Sequence, residues 1–65
     1  MNSSLLKELR KKKKVPRREV AIATGLTENT IYSMESGETT NPRLETLKAI
    51  ADYYDVSIND LVKEQ

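Results

Sequence analysis

The chain has 65 residues with no cysteine, no histidine and a net charge of +1, so disulfides are excluded and no metal site or cofactor is expected. Without the usual general base and thiol nucleophile, and with Gly25 and Gly37 too few for a phosphate loop, an enzyme is not expected either. No apolar run approaches the ~20 residues of a membrane span, and the polar start "NSSLLKELRKKKK" is no signal peptide, which points to a soluble, reducing, cytoplasmic setting.

In chain order, apolar residues recur at helical spacing and no period-2 strand interrupts them. Leu5, Leu6 and Leu9 make one stripe of a first helix, capped by Asn2, Ser3 or Ser4, that runs into Lys11–Lys14. Cations suit a helix C-terminus because they face its unpaired carbonyls. No glycine follows to give an easy left-handed cap. Pro16 breaks the chain and starts a second helix near its first position. Val20, Ala21 and Thr24 mark that helix's inner face, and Gly25 ends it.

Thr27 is the expected N-cap of a third helix, with Leu26 and Ile31 spaced as a hydrophobic staple. Ile31 and Met34 carry the buried stripe to Gly37. After "ETTNPR" a fourth helix sets Leu44, Leu47, Ile50, Ala51 and Tyr54 on one face, which assigns Tyr54 to packing and leaves Tyr53 half exposed. Ser57 and Asp60 have capping-box spacing at the start of a last short helix, with Val56 and Leu61 as its staple. The pattern is all-α, five short helices within residues 1–65 as one domain. At this size only about 60% of the unfolded surface is buried, so the core must hold the fold, with a dimer partner as a further source of stability.

The stretch Arg17–Ser36, "RREVAIATGLTENTIYSMES", has the spacing of a helix-turn-helix. Two helices crossing steeply through a short turn need a small residue at the crossing, here Ala21. The turn needs a residue tolerant of positive φ, here Gly25. Val20, Leu26, Ile31 and Met34 supply the apolar wedge beneath. Charge is also divided: residues 1–27 carry eight Lys or Arg against Glu8 and Glu19, and residues 28–65 carry three against eight acids. Such a split suits one face for a polyanion and another turned away.

These motifs resemble the lambda-repressor-like, Cro/C1-type (XRE) helix-turn-helix proteins of bacteria and phages. The likeness runs from "LKELRKKKK" through "GLTENTIYSMESGETTNP" to "LETLKAIADYYDVSINDL". It implies a compact five-helix domain that binds double-stranded operator DNA, usually as a symmetric homodimer. It implies a structural ion pair between Arg10 and Glu35. It places Thr27, Glu28, Asn29, Tyr32 and Ser33 among base-reading positions. Arg17 and Arg18 at the start of the second helix, with Ser36, Thr39, Thr40, Asn41 and Arg43 in the following loop, fall where the family meets phosphates. The chemistry suits this mapping, since Asn29 can pair with adenine and Glu28 can accept from cytosine.

The chain departs from the family at Pro16, where a capping Ser or Thr is usual, and at Arg43, where a capping serine is frequent. Glu38, Thr39 and Thr40 stand where the loop is often basic, and Ile22 and Ala23 where charges are common. The expected function is a DNA-binding transcriptional regulator, a repressor acting by occlusion because no sensing segment follows the last helix. Met1 is read as a natural N-terminus. Ile58, Leu61 and Val62, with the junction of the fourth and fifth helices, are the dimer candidates, and some of them must also close the core. An antitoxin, a restriction-modification controller, or an interaction module that has lost DNA binding are the competing readings.

Overall fold

The computed structural model describes residues 1–39 and 41–63. It folds into α1 (Ser3–Lys13), α2 (Arg17–Thr24), α3 (Glu28–Ser36), α4 (Leu44–Tyr54) and α5 (Ile58–Val62), with no strand among the described residues. Local chemistry sets three of the helix starts. The Leu5 N–H donates to Asn2 Oδ1 at 3.0 Å, Thr30 N–H to Thr27 Oγ1 at 3.1 Å, and Asp60 N–H to Ser57 Oγ at 3.2 Å. Each such cap satisfies a donor that the helix itself leaves unpaired. α2 and α4 start after Pro16 and Arg43 with no side-chain cap bond.

Pro16 sits just outside α2 rather than in its first turn, because its ψ of 161° is extended. Its carbonyl still accepts from the N–H groups of Glu19 and Val20 at 3.1 and 3.4 Å, so it caps the helix through the backbone.

Four helices end on a left-handed residue: Lys14, Gly25, Gly37 and Asp55, with φ of 58°, 77°, 87° and 57°. Gly25 is needed for that backbone angle and not for space, since a Cβ there would meet nothing within 4 Å. Lys14 and Asp55 adopt the same conformation with a side chain present, a strain of ~1 kcal/mol or more for each. The closing bonds offset it. Lys14 N–H donates to the Lys11 carbonyl and Val15 N–H to that of Arg10, while Asp55 N–H reaches Asp52 and Val56 N–H reaches Ala51.

All five helices contribute to one core of Leu6, Val20, Ala21, Ile31, Met34, Leu47, Ile50, Ala51 and Leu61. Each large side chain so buried stabilises the fold by ~1.5–3 kcal/mol. Ala21 lies buried on α2, and the Leu26 N–H returns to its carbonyl at 3.0 Å to close the turn into α3. Leu44 differs from its expected place on the α4 stripe and is 64% exposed. It is the first residue of α4, and the stripe enters the core only from Leu47. Of the dimer candidates, Leu61 is the one that closes the core, at 0% exposed. The Asn2 N–H closes over it by donating to its carbonyl at 2.8 Å. Of the three C-terminal candidates, Val62 is exposed and Ile58 is half-buried against the core.

Replacing Lys14 by glycine keeps the backbone and removes its strain. Lys14→Gly is expected to raise stability by ~0.5–1 kcal/mol, read as a higher urea midpoint with an unchanged slope.

Candidate nucleic-acid interface

α3 is anchored from below by Ile31, Met34 and a carboxylate. Glu35 is 3% exposed, a charged group buried as deeply as the core leucines. Its two oxygens are each claimed by a different arginine. Arg10 Nε on α1 donates to Oε2 at 2.7 Å, and Arg17 Nε on α2 donates to Oε1 at 3.2 Å. Arg10 also donates from Nη1 to the Val15 carbonyl in the α1–α2 connection at 3.2 Å. Three helices and one turn therefore meet at a single side chain. A carboxylate this buried is tolerable only because both oxygens have charged donors.

The hydrogen bond that Arg10 donates to Glu35 holds its guanidinium in the charged form, raising its pKa above the ordinary value against the opposing effect of burial. Next to them lies a cavity of about 10 Å³ lined by Leu6, Ile31, Met34, Glu35, Ile50 and Tyr54. That is room for one water at most, so Glu35 is a structural anchor and not a ligand site. The Tyr54 hydroxyl lining it is pushed up to about 12, first by burial and then by the nearby Glu35 charge.

With Ile31, Met34 and Glu35 turned inward, the other side of α3 faces outward. Glu28, Asn29 and Tyr32 are exposed there and Ser33 is half-buried. These positions share one side of a helix by their spacing. Thr27 is exposed as well, but its hydroxyl is engaged with the Thr30 N–H and lies 2.9 Å from the Thr30 hydroxyl. Capping is the role the geometry gives it.

Around this face the residues expected at phosphates fall into two groups. Arg18, Asn41 and Arg43 are exposed. Ser36 and Thr39 are folded back on the end of α3, where the Ser36 hydroxyl and the Thr39 N–H both donate to the Ser33 carbonyl at 3.2 Å. Thr40 lies outside the described residues. Lys11–Lys14 are all exposed at the end of α1, leading directly to the start of α2. Lys13 turns aside, its Nζ 4.9 Å from the centre of the Tyr53 ring.

Arg17, expected at a phosphate, has contacts that sequence reasoning missed: its Nε is bound to Glu35 and its Cζ lies 5.2 Å from the centre of the Tyr32 ring. No local signal announces these contacts, because Glu35 and Tyr32 lie on another helix, far along the chain from Arg17.

Removing the shared carboxylate strands the Arg10 charge. Glu35→Ala is expected to cost ~3 kcal/mol or more, against ~1 kcal/mol or less for Arg17→Ala, whose side chain is more exposed; paired urea titrations check the order. Tyr54 sets a separate alkaline limit. Its folded pKa lies above the unfolded 10.0, so its contribution is complete below that value and is lost as pH rises towards about 12. Urea midpoints measured across this range should fall more steeply for the wild type than for Tyr54→Phe.

The helix-turn-helix family model matches residues 6–61. An uncharacterised HTH-type transcriptional regulator of Coxiella burnetii is 38% identical over 63 residues, which cover 97% of this chain and 29% of the relative. The cryptic phage CTXphi transcriptional repressor RstR of Vibrio cholerae is 38% identical over 64 residues, covering 98% of this chain and 57% of the relative. The chain thus spans less than two thirds of either curated relative. Among solved structures, the N-terminal DNA-binding domain of SinR from Bacillus subtilis superposes with a TM-score of 0.87 at 28% identity, over 97% of this chain and 91% of that one. The five-helix order, the α2–α3 turn at Gly25 and the match over residues 6–61 agree: the chain belongs to the Cro/C1-type (XRE) helix-turn-helix family of transcriptional regulators.

Proposed function

We propose that the protein is a sequence-specific DNA-binding repressor that works in the cytoplasm as a homodimer on a palindromic operator, through one domain formed by the whole chain. α3 enters the major groove and α2 lies across the backbone. The observation that carries this reading is the composition of the outer face of α3. Glu28, Asn29 and Ser33 present hydrogen-bonding side chains, while Ile31, Met34 and the second glutamate are held inward. Such groups read base edges: the Asn29 amide matches adenine, and the Glu28 carboxylate accepts from the cytosine amino group.

Attraction comes from elsewhere. Lys11, Lys12, Lys14 and Arg18 supply positive charge on the approach to α2, and Arg43 supplies it at the start of α4. Contacts of that kind position the protein on phosphates without choosing a sequence. A second copy would dock through Val62 and the exposed edge of Ile58, and repression would follow from occluding the operator. The repressor named among the relatives supports this direction of regulation.

Selection of bound sites from random duplex DNA tests the whole proposal, because it returns the preferred sequence and its symmetry together. A two-fold symmetric site is expected; recovery of no enriched sequence would sink the reading. On the selected duplex Asn29→Ala is expected to lose ~1–3 kcal/mol and to relax preference at one base pair.

A further inference from the structure

The doubly held Arg17 assigns Tyr32 a different task from base reading. Arg17 is the first residue of α2, at the helix end that faces the basic run, and Tyr32 lies on the outer side of α3. An arginine guanidinium carries five N–H donors in a fixed plane. Here Nε is committed to Glu35 Oε1, while Arg10 holds Oε2. The Tyr32 ring lies beneath the guanidinium, with Cζ 5.2 Å from its centre. A ring in that position attracts the cation through its negative face. Among the described residues no hydrogen bond or ion pair engages the four Nη N–H groups, on a side chain still 39% exposed, and they can serve an acceptor outside.

We infer that Glu35 and Tyr32 hold Arg17 as a preformed fork for one DNA phosphate, and that Tyr32 is the positioning residue of that fork. The inference rests on the DNA-binding reading and specifies how one of its backbone contacts is made. Position fits a phosphate better than a base: the fork projects from the start of α2, which lies across the backbone in this docking, where a guanidinium can match two phosphate oxygens at once. A long side chain held on two supports also loses less freedom on binding than a free one, which strengthens the contact without adding an interaction. The ring serves as a platform, so its hydroxyl is dispensable.

The test uses the full chain, the duplex recovered from random-site selection and a scrambled duplex of the same composition, with binding followed by fluorescence anisotropy at several salt concentrations. Tyr32→Phe is expected to bind as the wild type does. Tyr32→Leu is expected to weaken binding to both duplexes by the same factor, roughly two- to fivefold. In an Arg17→Ala background Tyr32→Leu is expected to change nothing further, since the group it positions is gone. Tyr32 is half exposed, and matching circular dichroism melts confirm that the variants are folded. The fork is overturned by a Tyr32→Leu loss confined to the selected duplex, by a loss equally large without Arg17, or by a Tyr32→Phe loss matching that of leucine. If the wild type binds neither duplex, the DNA-binding reading falls and the fork with it. If it binds both and ignores Tyr32→Leu, the fork alone is wrong.

Discussion

The structure depends on one buried carboxylate. Glu35 joins α1 through Arg10, α2 through Arg17 and its own helix α3, and Arg10 adds the α1–α2 turn through the Val15 carbonyl. Apolar packing alone lets helices slide, because dispersion and burial are non-directional. Charge-assisted hydrogen bonds with fixed directions do not. The pair is not an obvious source of net stability, since desolvating the ions offsets much of their attraction. Its effect is geometric: it ties α1 and α2 to an α3 that already turns Ile31 and Met34 inward and Glu28 and Asn29 outward.

That arrangement accounts for an apparent contradiction in charge. α3 contains two glutamates and no cation, an unpromising surface for a polyanion. Glu35 is withdrawn into the core, where Arg10 and Arg17 surround it. Positive charge is concentrated instead on the end of α1 and the start of α2. Long-range attraction acts over the distance of a Debye length, about 10 Å at moderate salt, and need not come from the helix that contacts bases. Base recognition requires hydrogen-bonding groups at defined places, and in the docking proposed above Asn29 and Glu28 offer these without adding positive charge that would bind any sequence.

Much of the fold was legible in the chain because its signals are local. Thr27 and Ser57 cap their helices three residues ahead, Gly25 and Gly37 take the left-handed angle, and the apolar period identifies the inner faces of α1, α3 and most of α4. The same period separates the inward and outward sides of α3. The lack of glycine after the lysine run was a correct warning of strain, and the structure places that strain on Lys14. Signals failed where two helices had to be docked first. Leu44 fits the α4 stripe by spacing yet falls outside the core, and spacing alone does not say which of Ile58, Leu61 and Val62 closes the core, a place taken by Leu61. The contacts of Arg17 with Glu35 and Tyr32 form only where α2 and α3 are brought together.

The sequence by itself determined the all-helical class, the helix boundaries to within a residue or so, the helix-turn-helix and the family. Each rests on interactions within about one helical turn, or on a pattern of residue types along the chain. Only the tertiary structure decided that Glu35 serves two arginines, that Tyr32 lies against Arg17, and that Val62 rather than Leu61 is exposed near the C-terminus. Those outcomes turn on the angles and offsets at which α1, α2, α3 and α5 meet. Such angles emerge from the packing of every side chain at the crossings, and no local period records them.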